Sequence, residues 1–214
     1  MRKHFRHSRK RLLSRRLWKL RLVFWSGAIV VGLVAAIFAE LTEVVGGQFF
    51  SFRTIFPGLV YLLPPLGLIA IVWATRNFFK GSEGSGIPQV ILTLQRREQP
   101  LLRSRLLSLK VALGKMLLSL MGLLTGASIG REGPTVHIGA AIMYFFGKLA
   151  RFPPHYMEKG LILAGGSAGI AAAFNTPLAG IVFAIEELSR SFEERTSGIL
   201  LTAVLFAGIT ALSV

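Results

Sequence analysis

The chain has 214 residues, of which 52% are hydrophobic and 16% charged, and its mean hydropathy is +0.59. A water-soluble domain rarely sustains such values, and the apolar residues come in blocks rather than in alternation. The net charge is +15, and the absence of cysteine excludes disulfide and thiolate chemistry.

The blocks set the class. Charge-free runs cover residues 22–39, 56–75, 136–147, 160–185 and 196–214, and Lys115 alone interrupts the run 111–130. Runs of about 20 apolar residues read as membrane spans, so the expectation is an all-α polytopic membrane protein.

Residues 1–21 form a basic segment, with ten Lys or Arg between Arg2 and Arg21 and no acid before Glu40. A nucleic-acid arm is the rival reading of such a run. Because this one leads straight into an apolar block, the positive-inside rule accounts for it: a cytoplasmic N-terminus held by the anionic lipid of the cell membrane, with no nucleic-acid partner. Residues 12–21 are expected to lie on the membrane as a short amphipathic helix, ahead of a transmembrane region over 22–214.

The first span, 22–41, carries Gly27 and Gly32 for close neighbours. Gly46-Gly47 is expected to turn the chain, and residues 56–79 to return it with a kink at Pro64-Pro65. Then comes Gly81-Ser82-Glu83-Gly84-Ser85-Gly86-Ile87-Pro88, glycines and serines ending in a helix-starting proline. The apolar run 87–94 is too short to span, so it predicts a half-helix whose N-terminus lies inside the membrane, with the Ser85 hydroxyl at its positive end. Standing alone, the stretch also fits a flexible linker.

A basic connector, 96–110, precedes an outward span over 111–130, whose Gly114, Gly122, Gly126 and Gly130 fall at multiples of four. That span delivers Gly130-Arg131-Glu132-Gly133-Pro134, an acid and a base between glycines at the start of a second short helix, 134–148. In a soluble protein this is a surface turn with a local ion pair. At a helix start inside a membrane, the unpaired amides bind anions, and a Glu132 carboxylate just before the helix can occupy that place itself. It then acts as a gate made from one side chain.

After a turn at Arg151-Phe152-Pro153-Pro154, residues 156–174 run back with Gly165, Gly169 and Ala173 as a second small face. Asn175-Thr176-Pro177 breaks the helix, and the next one ends in Glu186-Glu187. A polar connector through Arg190, Glu193, Glu194 and Arg195 leads to a last span from about Ser197. His4 and His7 lie in the basic tail, and His137 and His155 have no partner at ligand spacing, so no metal is expected. No nucleophile–base pair suggests an enzyme.

Gly84-Ser85-Gly86-Ile87-Pro88, Gly130-Arg131-Glu132-Gly133-Pro134 and Asn175-Thr176-Pro177-Leu178-Ala179-Gly180 leading to Glu186-Glu187 stand in one order. Together they resemble the N-terminal half of the CLC family of chloride channels and chloride/proton antiporters. The resemblance implies a CLC-type fold, the first of two inverted-topology repeats, with broken and half-spanning helices. It implies that the Ser85 hydroxyl coordinates chloride in a loop shaped by Gly84, Gly86, Ile87 and Pro88. It also implies that Glu132, framed by Gly130, Arg131, Gly133 and Pro134, gates the site and passes protons. Glu187 matches the inner proton-transfer glutamate of exchangers, with Glu186 as its acidic neighbour and a candidate inner acid.

Chloride and protons are then the transported ions, no cofactor is required, and the chain pairs as a homodimer. A passive chloride channel of the same family is the alternative. The family's second half carries a Gly-x-Phe-x-Pro motif and a tyrosine closing the inner side of the site, and nothing in this sequence matches them. Tyr144 and Tyr156 are wrongly placed. The expectation is half a pathway, incomplete without a second half, or a truncated membrane remnant or subunit that does not transport.

Overall fold

The computed structural model of the chain describes residues 15–95, 99–153, 160–188 and 194–213, and every element among them is helical. The basic residues before Arg15, together with Arg96, Arg97, Glu98, Pro154, His155, Tyr156, Arg190 and Glu193, lie outside the described residues.

Helix α1, Arg15–Ile55, is a single rod of 41 residues. It begins within the basic segment and crosses the boundary drawn at residue 21. At 1.5 Å per residue it is about 60 Å long, roughly twice the hydrocarbon thickness of a bilayer. The turn expected at Gly46-Gly47 does not occur. Each glycine weakens a helix by about 1 kcal/mol, whereas ending the helix there would strip backbone groups of their partners. The rod stops only before Pro57-Gly58, because proline bars helical backbone at the residue ahead of it.

A short 3₁₀ turn, Leu59–Tyr61, leads to α2, Leu63–Asn77. Pro64 and Pro65 lie in its first turn and do not kink it, since a missing N–H costs nothing where no carbonyl would have accepted it. Leu66, Ile69, Val72 and Trp73 of α2 all face outward, as suits a helix solvated by lipid. Among the described residues three stretches, Trp18–Ile55, Leu59–Asn77 and Pro100–Leu124, are long and apolar enough to cross a membrane.

Helix α3, Ile87–Gln95, is the expected half-helix. The connector after it contains a helix of its own, α4, Pro100–Leu106, and Arg103 is buried there at 3% exposure rather than turned to water. Helix α5, Leu109–Leu124, is capped by Ser108, whose Oγ accepts from the Val111 amide at 3.3 Å. It ends before Gly126, so Gly126 and Gly130 belong to the following connector and not to a helix face.

Helix α6, Glu132–Leu149, and helix α7, Ile162–Ala173, form the centre. They approach so closely that a β-carbon on Gly139 would overlap the Gly165 carbonyl, and one on Gly165 the Gly139 carbonyl. A β-carbon on Gly169 would lie 2.6 Å from Thr135 O. Lipid supplies no hydrophobic drive between helices, so contact of this kind is what holds them together.

Asn175, with φ +50°, ends α7 and lets α8, Pro177–Phe183, start after a sharp bend. Helix α8 continues into a π-helical turn, Ala184–Leu188, which carries Glu186 and Glu187. Helix α9, Glu194–Ser213, returns against α1, where a β-carbon on Gly32 would sit 2.6 Å from Ala207 O. Gly27 similarly admits the Met143 sulfur.

Candidate anion site at two helix starts

Two interrupted helices meet at their N-terminal ends. A β-carbon on Gly133 would lie 2.8 Å from Ser85 O and 2.9 Å from Ser85 Cβ, so the loop before α3 rests directly on the first turn of α6. Gly86 is equally confined: its β-carbon would stand 2.7 Å from His137 Cβ and 2.9 Å from Gly133 O. Glycine is required at Gly86 for a second reason, a φ of +110°.

The first amides of α6 are open. Its earliest recorded backbone bond at this end runs from Thr135 N to Arg131 O at 3.1 Å, and Pro134 has no N–H, so the amides of Glu132 and Gly133 lack helical acceptors. Glu132 is the first residue of the helix rather than the residue before it, and Arg131 takes the cap position. The Glu132 carboxylate folds back so that Oε2 lies 2.6 Å from where a Gly130 β-carbon would be. A carboxylate in the first turn still sits favourably at the positive end of the helix.

Arg131 points away from the Ser85 loop, toward α1. Its Nη1 donates to Thr42 Oγ1 at 3.4 Å and lies 3.5 Å from Glu43 Oε1. Further along, the unexpected continuation of α1 past Gly46-Gly47 brings the Phe49 ring against Gly126.

Ser85 is exposed and Glu132 half-buried. Glu186 and Glu187 are exposed on the π-helical turn. That turn is anchored by Leu188, whose Cδ1 lies 2.8 Å from a β-carbon on Gly166; the same point is 3.4 Å from Val136 and 3.9 Å from Val90. Val136 is one turn into α6 from Glu132, and Val90 one turn into α3 from Ser85. The acidic turn therefore packs behind α3 and α6, whose starts meet at the Ser85 loop.

The sequence reading passed over two side chains that build the loop. Lys115, 2% exposed, donates to the carbonyls of Ser82, Glu83 and Gly84, and Gln89 donates to those of Gly81 and Glu83. The available signal was a lone lysine inside an otherwise uncharged run, which is costly in a membrane unless it has partners. His137 is fully buried, with Nε2 3.0 Å from Leu106 O. Among the described residues no group of His, Asp or Glu could hold a metal ion.

The family model described as voltage gated chloride channel matches residues 66–214. The chain belongs to that family. It is 30% identical, over 92% of its length, to the H(+)/Cl(-) exchange transporter ClcA of Salmonella schwarzengrund and to that of Salmonella agona. It spans 44% of those relatives, so the similarity covers less than half of their length. Among solved structures it resembles a CLC-type fluoride/proton antiporter, with a TM-score of 0.76 and 28% identity over 92% of this chain and 47% of that one. A slow cyanobacterial Cl-/H+ antiporter shares the fold, with a TM-score of 0.74 and 23% identity over 90% of this chain and 46% of that one. The fold is thus the CLC fold, as the three motifs implied, and the chain is a membrane protein.

Proposed function

We propose that this chain forms one side of a chloride pathway in which anion movement is coupled to protons. The observation that carries the reading is the contact of Gly133 with Ser85, which brings two helix starts and a serine hydroxyl to one place. Open amides and a hydroxyl there suit an anion stripped of water, and no cation needs to be bound alongside it.

In this reading Ser85, in the loop formed by Gly84, Gly86, Ile87 and Pro88, donates to chloride. Glu132 competes with the anion for the amides at the start of α6 and leaves when protonated. Gly130, Gly133 and Pro134 give its backbone the shape to do so, and Arg131 ties the gate to α1. Glu187, with Glu186 beside it, receives protons at the other end of the proton route. Two separated acids favour antiport over a passive channel of the same family. A second repeat completes the pathway, the assembly is a homodimer, and it lies in the cell membrane with its N-terminus in the cytoplasm.

The test is flux from chloride-loaded liposomes read by chloride and pH electrodes together, using the assembly purified from its own membrane. Glu187→Gln is expected to abolish proton movement and leave chloride movement, and Glu132→Gln to abolish its dependence on pH. Chloride flux with no proton movement in the unmodified protein would make it a channel. No chloride flux at all would refute the reading and leave a membrane subunit that does not transport.

A further inference from the structure

The carbonyls of the Ser85 loop are all drawn to one side. Lys115, in the middle of α5, donates from Nζ to Ser82 O at 3.1 Å, Glu83 O at 3.2 Å and Gly84 O at 2.9 Å. An ammonium has three N–H donors and no acceptor, so these bonds use every one. Gln89, in the first turn of α3, donates from Nε2 to Gly81 O at 3.0 Å and Glu83 O at 2.7 Å. Four consecutive carbonyls, 81–84, therefore face donors that come from outside the loop.

Backbone geometry turns this into a statement about amides. In a trans peptide the C=O of one residue and the N–H of the next point in opposite directions. Drawing in the carbonyls of Ser82, Glu83 and Gly84 sends the amides of Glu83, Gly84 and Ser85 the other way. Among the described residues none of the amides of Glu83, Gly84, Ser85 and Gly86 donates to a protein acceptor. The positive φ angles of Gly81 (+101°), Gly84 (+70°) and Gly86 (+110°) are what permit the arrangement.

We propose that Lys115 and Gln89 are positioning residues of the anion site: a carbonyl clamp that turns the amides of residues 83–85 toward the ion without touching it. The clamp rests on the anion reading of the Ser85 loop and deepens it. Lys115 has no hydrogen left for an anion, and Gln89 carries no charge. What the two share is the set of carbonyls they hold. A charge acting through space would need Lys115 alone, whereas a clamp needs both.

Hydrogen exchange of the assembly in lipid nanodiscs, measured by mass spectrometry in chloride and in gluconate, separates these. In gluconate, Lys115→Met and Gln89→Leu are each expected to speed exchange of the amides over 81–87 by about tenfold or more, while those of α6 and α7 keep their rates. Both should also raise the chloride concentration that protects the Gly84 and Ser85 amides by about tenfold. If Gln89→Leu changes neither quantity while Lys115→Met weakens protection by chloride, lysine charge is responsible and the clamp is wrong. Unaltered loop exchange in both variants overturns it equally. A native assembly with no protection by chloride would refute the anion reading instead, and exchange in gluconate would still decide the clamp. Should Lys115→Met fail to fold, Gln89→Leu carries both readouts.

Discussion

Replacing Gly133 by alanine tests the meeting of the two helix starts at its tightest point. The new β-carbon would lie 2.8 Å from Ser85 O and 2.9 Å from Ser85 Cβ. Non-bonded carbon contacts are comfortable only at about 3.5–4.0 Å, so the two backbones must part by roughly 0.5–1 Å. The neighbour on one side is backbone held by the Lys115 and Gln89 bonds, and on the other it is the first turn of a helix buried along most of its length. Overpacking of this kind costs about 1–3 kcal/mol. A binding site tolerates displacements of only about 0.5 Å, so the strain should appear as weaker anion binding rather than as unfolding. Gly133→Ala is expected to raise the chloride concentration needed for half-maximal flux by about tenfold or more, with helix content by circular dichroism unchanged. Native chloride dependence in a folded Gly133→Ala protein would show that Ser85 and the start of α6 do not share one site.

Other substitutions probe the frame around it. Gly165→Ala places a β-carbon on the Gly139 carbonyl, with no side chain to yield, and should destabilise the helix pair by about 2–3 kcal/mol in a detergent unfolding titration. Gly46→Ala and Gly47→Ala meet nothing within 4 Å and should each stabilise α1 by about 0.5–1 kcal/mol, seen as a higher melting temperature; a loss would restore the turn expected there. Glu43→Gln removes the partner of Arg131 from a pair whose acid is 77% exposed, so stability should fall by less than about 1 kcal/mol in the same titration.

Much of this structure was legible because a membrane makes few demands and makes them strictly. Charge-free blocks marked helices, and prolines 88, 134 and 177 each fell within the first three residues of a helix that begins in mid-chain. The order of the three motifs carried the family. The length of α1 was not legible, because Gly46-Gly47 reads as a turn by local preference and only the cost of breaking a helix overrides it. Pro64-Pro65 was misread for a related reason: proline kinks or starts a helix according to where the turn before it ends, and the 3₁₀ turn Leu59–Tyr61 left no local mark. At the site, Ser85 and Glu132 could be named from their motifs. The meeting of the two helix starts depends on two glycines, Gly86 and Gly133, whose role is to be small against a neighbour 47 or more residues away in sequence, and on Lys115, whose partners are carbonyls that no sequence pattern displays.

If the proposed function holds, an anion rests where the starts of α3 and α6 converge. Crystals of the protein grown in lipid with bromide in place of chloride locate it by anomalous scattering. A peak is expected within about 3.5 Å of Ser85 Oγ, displaced toward the amides of Glu132 and Gly133. Bromide found only at the surface, with that position empty while the Glu132 carboxylate is held away from it, would show that the two helix starts hold no anion.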